Sequence, residues 1–213
     1  MQEIDKTKIK VISFDMDNTL VTEDIDDWVW NEEIPKLYAK KNSISLKEAK
    51  LEVYAKYYEE LYITKNKNWT DLYFWFDFFK LDIKDFELDF EKEVNIIEGV
   101  IKTLDYLKDK YELVITTNSS PFFIENKMKA TKLEKYFKKI YSGQMYSNTH
   151  QKDEKTFKQL LKDFNIKPSE IIHVGDNPIF DKQVPEKLNI KSLIINPNGK
   201  GDLNKITDLI KIL

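Results

Sequence analysis

Four or five short apolar runs, rich in β-branched residues and separated by helical patterns, restrict what this chain can fold into. They are Ile9–Phe14, Glu112–Thr116, Lys139–Tyr141, Glu170–Val174 and Lys191–Ile195. Each is brief and bounded by polar or turn-forming residues, as strands buried on both faces of a parallel sheet are. Apolar spacing predicts helices over Val100–Lys108, Phe122–Lys129, Lys155–Phe164 and Lys182–Leu188, and a last one over Leu203–Ile212. Alternation of this kind predicts an α/β fold, a Rossmann-like parallel sheet sandwiched by helices.

The first interval breaks the rhythm. Asp15 and Thr117 stand about a hundred positions apart, whereas a βαβ unit needs only about 30 residues. Within that interval, stretches 25–42, 45–64 and 69–80 read as helices. The second opens on a capping box, Ser45 with Glu48, and Leu46, Ala49, Val53, Tyr57 and Leu61 follow helical spacing. The reading is therefore a discontinuous catalytic core, 1–20 and 96–213, interrupted by an all-α cap over 21–95. The dense aromatic stretch Trp69–Phe79 is expected to form the core of that insertion or its contact with the sheet domain.

Composition narrows the partners. With 41% hydrophobic and 13% aromatic residues, the chain can bury a sizeable core. Its 34 basic and 37 acidic residues leave a formal charge of −3, so no dominant sign points to nucleic acid. No apolar run approaches the roughly 20 residues that span a bilayer, and Met1–Lys10 is too polar for a signal peptide. A cytoplasmic protein with no membrane partner is expected; its oligomeric state is left open. Cysteine is absent, which excludes disulfides and thiolate chemistry. Arginine is absent too, so any anion must be held by lysine, hydroxyls or backbone N–H groups rather than a guanidinium fork.

In parallel α/β sheets, ligands sit beyond the carboxyl ends of the strands. Those ends carry Asp15-Met16-Asp17-Asn18-Thr19, then Thr117-Asn118-Ser119, then Gly175-Asp176 through Asp181, with Lys152 opening the helix before the fourth strand. Carboxylates gathered at one edge repel one another and call for a cation, and hard oxygen donors suit Mg²⁺. With the ion present, the site attracts a phosphate dianion.

This constellation resembles the haloacid dehalogenase superfamily in four ordered motifs. They are Asp15-x-Asp17-x-Thr19-Leu20; Thr117-Asn118; Lys152; and Gly175-Asp176 with Asp181. The stretch from Glu98-Gly99-Val100 to Tyr111 also resembles the family's helix leading into its second motif. The resemblance implies Mg²⁺-dependent hydrolysis of a small phosphorylated metabolite through an aspartyl-phosphate. Asp15 would be the nucleophile and Asp17 the general acid and base. Thr117, Asn118 and Lys152 would bind phosphate. Asp15, Asp17 through its backbone carbonyl, and Asp176 would hold the metal, and Asp181 would orient Lys152 or a metal-bound water.

Two positions depart from the pattern: Asn18 stands where the family usually has Gly, and Asp153 follows Lys152 where Pro is common. Lys155 is a rival for the lysine role, although Lys152 fits the spacing to Phe157 better. His173 is expected to be a hydrogen-bonded core residue; His150, near Lys152, is a weaker candidate for substrate contact. A phosphomutase on this scaffold often relies on arginine for a second phosphate. A dehalogenase of this family lacks the second aspartate, and a phospho-switch or binding module lacks the insertion. All three therefore fit less well than a phosphatase with a helical cap.

Overall fold

The computed structural model describes residues 5–22, 24–147 and 151–213. Five parallel strands form one sheet: β1 (Val11–Phe14), β2 (Glu112–Thr117), β3 (Lys139–Ser142), β4 (Ile171–Gly175) and β5 (Lys191–Ile194), in the order β3-β2-β1-β4-β5. β1 lies at the centre and all four of its residues are buried. Val11 is level with Glu112 on one side and Ile171 on the other. Successive side chains of a strand face opposite ways, and the two faces are covered separately. Ile12 and Phe14 join a cluster with Leu104, Phe123 and Leu209; Val11 joins Phe157, Leu160 and Ile190. The sandwich expected from the sequence is thus the observed one.

Between β1 and β2 come α1 (Asp24–Trp28), α2 (Ile34–Asn42), α3 (Leu46–Tyr58), α4 (Leu72–Phe78), α5 (Phe90–Glu93) and α6 (Val100–Leu107). A wider π-type turn, Val29–Glu33, links α1 to α2. The Ser45–Glu48 capping box forms as read. α4 is shorter than expected because Asp71 caps it, accepting from the Tyr73 N–H, and leaves Trp69 in a separate 3₁₀ turn. Trp75, Phe76 and Phe79 are buried, while Tyr73 and Phe78 stay exposed. The insertion does not keep its apolar contacts to itself. Trp30 packs edge-on against Phe123, at 5.7 Å between ring centroids, and one buried apolar cluster runs from Ile12 and Phe14 to Trp75.

The two crossings into the insertion run side by side. Val21 pairs antiparallel with Ile96; the Thr22 N–H donates to the Asn95 carbonyl and the Ile97 N–H to that of Leu20.

After β2 come α7 (Pro121–Thr131), α8 (Gly143–Tyr146), α9 (Glu154–Phe164), α10 (Val184–Glu186) and α11 (Leu209–Ile212). Two expectations are corrected here. The helical stretch read as Lys182–Leu188 begins earlier, as a π-type turn over Pro178–Gln183, because Asn177 caps it and Pro178 fills the first helical position. The helix read as Leu203–Ile212 is helical only from Ile206, since Leu203 is spent on a backbone bridge to Ile195.

Candidate active site

The strand ends bring the sequence-marked residues to one edge. Asp15 follows β1 directly, and its N–H donates to the Val174 carbonyl at 2.8 Å, tying the first loop to β4. The chain then turns tightly enough for the Leu20 and Val21 N–H groups both to reach the Met16 carbonyl. Asn18 takes the left-handed conformation, φ 54°, that the turn requires; Asn is among the few residues that tolerate it. Asp15, Asp17, Asn18, Thr117, Asn118, Lys152, Asp176 and Asn177 line a cavity of about 120 Å³. A larger cavity, about 460 Å³, adjoins it through Asn18 and Asp176 and extends past Asn196 and Lys205. It contains neither Asp15 nor Lys152, both of which line the smaller one.

Lys152 is buried and its ammonium is fully committed. It donates to Asp15 Oδ1 at 2.8 Å, to the Thr116 carbonyl at 3.1 Å and to Asp181. Lys155, its rival by sequence, is exposed on α9. Asp153, the residue in place of proline, caps that helix by accepting from the N–H groups of Lys155 and Thr156. The lysine loop is further fixed by Asn118, whose side-chain oxygen accepts from the Lys152 N–H at 2.6 Å. With the oxygen so engaged, the NH₂ group is the end of Asn118 that donates. Two glycines allow this packing. A Cβ on Gly143 would lie 2.2 Å from the carbonyl carbon of Gln151, and one on Gly175 would lie 2.2 Å from Asp181 Cγ.

The electrostatics follow from burial and charge. Burial raises the Asp15 carboxyl well above its ordinary range; the Asp181 charge adds to this and Lys152 only partly offsets it. Burial acts on Asp181 in the same sense, but Lys152 and a hydrogen bond from His173 overcome it and hold that group below the usual range. For Lys152 burial opposes the charge, and the Asp15 and Asp181 carboxylates outweigh it. His173 is lowered by burial and is therefore neutral. The hydrogen-bond network assigns its tautomer: Nε2–H donates to Asp181 at 2.9 Å, and Nδ1 accepts from the Ser13 hydroxyl, itself 2.7 Å from Thr116 Oγ1. The expected core histidine is thus also a partner of the site. His150 lies outside the described residues.

Oxygen atoms of Asp15, Asp176 and Asp181 lie within 4.8 Å of one another. An all-carboxylate donor set fits a hard divalent cation such as Mg²⁺. Asp181 already accepts from Lys152, His173 and the Asn177 N–H. Asp15 and Asp176, expected from the sequence as metal ligands, are both in this group.

Asp17 is held on its far side by groups that the motifs do not contain. Ser119 Oγ donates to Asp17 Oδ2 at 2.7 Å. Lys127 on α7, fully buried, places its ammonium 2.5 Å from Asp17 Oδ1 and 2.7 Å from Asp26 Oδ1 on α1. Burial works against the Lys127 charge, but the two carboxylates outweigh it and keep it protonated.

A family model described as "Haloacid dehalogenase-like hydrolase" matches residues 12–195 of this chain. The chain belongs to that family. Among solved structures, a HAD phosphatase from Thermococcus onnurineus superposes on the hydrolase with a TM-score of 0.74 at 22% identity, covering 96% of this chain and 97% of that one. A 2-haloacid dehalogenase from Pseudomonas syringae does so at 0.67 and 18%, covering 96% and 97%. A shared fold thus spans both chemistries, and the fold alone does not choose between them. Among curated proteins, the GMP/IMP nucleotidase YrfG of Escherichia coli is 21% identical over 170 residues, 79% of this chain and 75% of that protein.

Sequence reasoning about the hydrolase missed Lys127, Ser119, Asp26 and Gly143. A signal for Lys127 was present. It falls on the same helical face as Phe123, Ile124 and Met128, all buried, and a lysine on an apolar face needs a partner. Ser119 stood in plain view after Thr117-Asn118 as a turn residue. Nothing local distinguishes Asp26 from its acidic neighbour Asp27.

Proposed function

We propose that this hydrolase is a Mg²⁺-dependent phosphatase acting on a small phosphorylated metabolite. The observation that carries the reading is the grouping of Asp15 and Asp17 with Lys152, Thr117 and Asn118 around one small cavity. A nucleophilic carboxylate, a second carboxylate two residues on, and donors for phosphate oxygens are what phosphoryl transfer through an aspartyl-phosphate requires. In this reading an Asp15 oxygen attacks phosphorus. The bond from phosphorus to the leaving oxygen breaks, and Asp17 supplies the proton that oxygen needs. Asp17 then takes a proton from water as the water attacks phosphorus, which frees phosphate and restores Asp15. Thr117 and Asn118 hold the phosphoryl oxygens, Lys152 turns its Asp15-facing donor to them as Asp15 is phosphorylated, and Asp181 keeps Lys152 aimed at Asp15. Asp15, the Asp17 carbonyl and Asp176 would hold Mg²⁺, which when bound supplies positive charge against the phosphoryl oxygens. Asp17 and the complete absence of arginine favour this chemistry over dehalogenation.

Residues 21–95 form, in this proposal, a cap that closes over the site and excludes bulk water. The paired crossings at Val21 and Ile96 support it, since a two-stranded neck lets the helices rock about few residues. The likeness to a GMP/IMP nucleotidase recommends purine nucleoside monophosphates within any substrate screen.

The deciding experiment measures phosphate release from a panel of small phosphate monoesters, with Mg²⁺ and with EDTA. Wild type should turn over at least one with Mg²⁺ and lose that activity with EDTA, and Asp15→Asn should be inactive while remaining folded. Near-wild-type phosphate release by Asp15→Asn would overturn the assignment.

A further inference from the structure

Lys127 has no place in the chemistry set out above, yet its position is unusual. It is fully buried on α7 among Phe123, Ile124 and Met128. Taking an ammonium out of water costs several kcal/mol, and well-packed apolar residues commonly serve stability as well or better than a buried ion pair. The buried positions beside it on the helix, Phe123, Ile124 and Met128, are apolar, so stability alone does not account for a lysine here. Its partners do. One, Asp17, belongs to the nucleophile loop; the other, Asp26, belongs to the first helix of the insertion. Ser119, on the loop after β2, donates to Asp17 at 2.7 Å and lies 3.4 Å from Asp26 Oδ2. The same carboxylate that borders the reaction cavity is therefore fastened from behind to the insertion.

We infer that Lys127 is a positioning residue that fixes the Asp17 carboxylate and ties its orientation to α1 through Asp26, so that the acid–base steps depend on where the insertion sits. The inference rests on the phosphatase reading and extends it. When α1 lies as observed, Lys127 is shared between two carboxylates. Displacing α1 removes Asp26 from the triad, and the remaining Asp17–Lys127 pair is free to take another geometry. Acid–base competence is thereby coupled to closure without any contact between the insertion and the reacting phosphorus.

The test separates the two chemical steps with 4-nitrophenyl phosphate, whose leaving group needs no protonation. Lys127→Met removes the charge and keeps the bulk. It should still release one equivalent of nitrophenolate rapidly, because Asp15 is untouched. Steady-state turnover should fall by about 10²–10⁴-fold, the range typical for lost acid–base catalysis. Adding Lys127→Met to Asp17→Asn should cost nothing beyond Asp17→Asn alone. Asp26→Asn should show the same pattern as Lys127→Met with a smaller loss, and it decides the matter if the lysine variant fails to fold. A merely structural lysine would lower the rapid phase and the steady state together. That result, multiplying losses in the double variant, or wild-type turnover by Asp26→Asn would each overturn the inference. Wild-type activity abolished by Asp15→Asn is the control for the phosphatase reading. If it fails, that reading falls, whereas failure of the Lys127 pattern with the control intact removes only the tether.

Discussion

Lys152 and Lys127 are both fully buried, and each lies between two carboxylates. Lys152 joins Asp15, directly after β1, to Asp181 on the π-type turn that follows β4. Lys127 joins Asp17 to Asp26, one from the sheet edge and one from the insertion. The first is surrounded by a rigid frame: the Asn118 amide, the close approach at Gly143, and the chain from Asp181 through His173 to Ser13 and Thr116. The second depends on how two parts of the molecule meet. The difference teaches that burial and pairing alone do not assign a role. What a buried lysine can do depends on whether its partners move together or apart.

The largest effect that would sharpen this contrast is expected for Lys152→Met. It leaves Asp15 and Asp181 facing each other without the ammonium between them, and removes a donor from the proposed phosphoryl site. Losing one preorganised donor of this kind typically costs about 10²–10³-fold. The loss should fall on the first step, so the rapid release of nitrophenolate should slow. A rapid phase as fast as wild type in this variant would erase the distinction between the two lysines.

Gly143→Ala should act in the same direction and more weakly. The new methyl meets the backbone at Gln151 and Lys152, so the lysine loop must shift. Misplacement of a catalytic group by about 1 Å can cost up to roughly 10²-fold. Stopped-flow nitrophenolate release measures this as well; an unchanged rate would mean that the loop adapts without moving the ammonium. The smallest effect is expected for Lys155→Ala. Lys155 is exposed, and surface changes away from special features usually stay within about ±0.5 kcal/mol. Thermal denaturation and turnover should both match wild type, and a large loss of turnover would return Lys155 to the candidates for the active-site lysine.

The legibility of these groups in the sequence follows the same divide. The sheet, its order of β and α units and the residues at its strand ends could be read because strand ends and helix starts leave local signatures. Asp15, Thr117 and Asp176 each follow or end a short apolar run, and Lys152 precedes a helix. Boundaries were less legible where a residue had a choice of uses. Asp71 capped α4 and shortened it, and Leu203 was drawn into a bridge that the helical pattern of 203–212 could not reveal. Asp17's far-side partners were hidden for a different reason. Glu125-Asn126-Lys127-Met128-Lys129 reads locally as a solvated helix segment, and although Lys127 shares a face with Phe123 and Ile124, only the surrounding fold shows which carboxylates it meets. Contact between the insertion's aromatics and the sheet domain was one of two expectations, but the particular pair, Trp30 on Phe123, was not legible, because a helical pattern identifies a buried face without naming what covers it.

The central place of β1 has a consequence for how the molecule is made. β1 leaves the ribosome before either neighbour, yet Val11 must wait for Glu112 on one side and Ile171 on the other. At synthesis rates of about 5–20 residues per second, the second flank arrives on the order of 10–30 s after the first strand. Throughout that time an apolar strand bearing Ile12 and Phe14 has an unpaired edge, the kind of surface that recruits other chains. The helices of 24–93 emerge in the meantime, built from contacts close in sequence, which form fast. The aromatic cluster around Trp75 can therefore give the waiting strand an apolar surface to rest against before its own sheet exists.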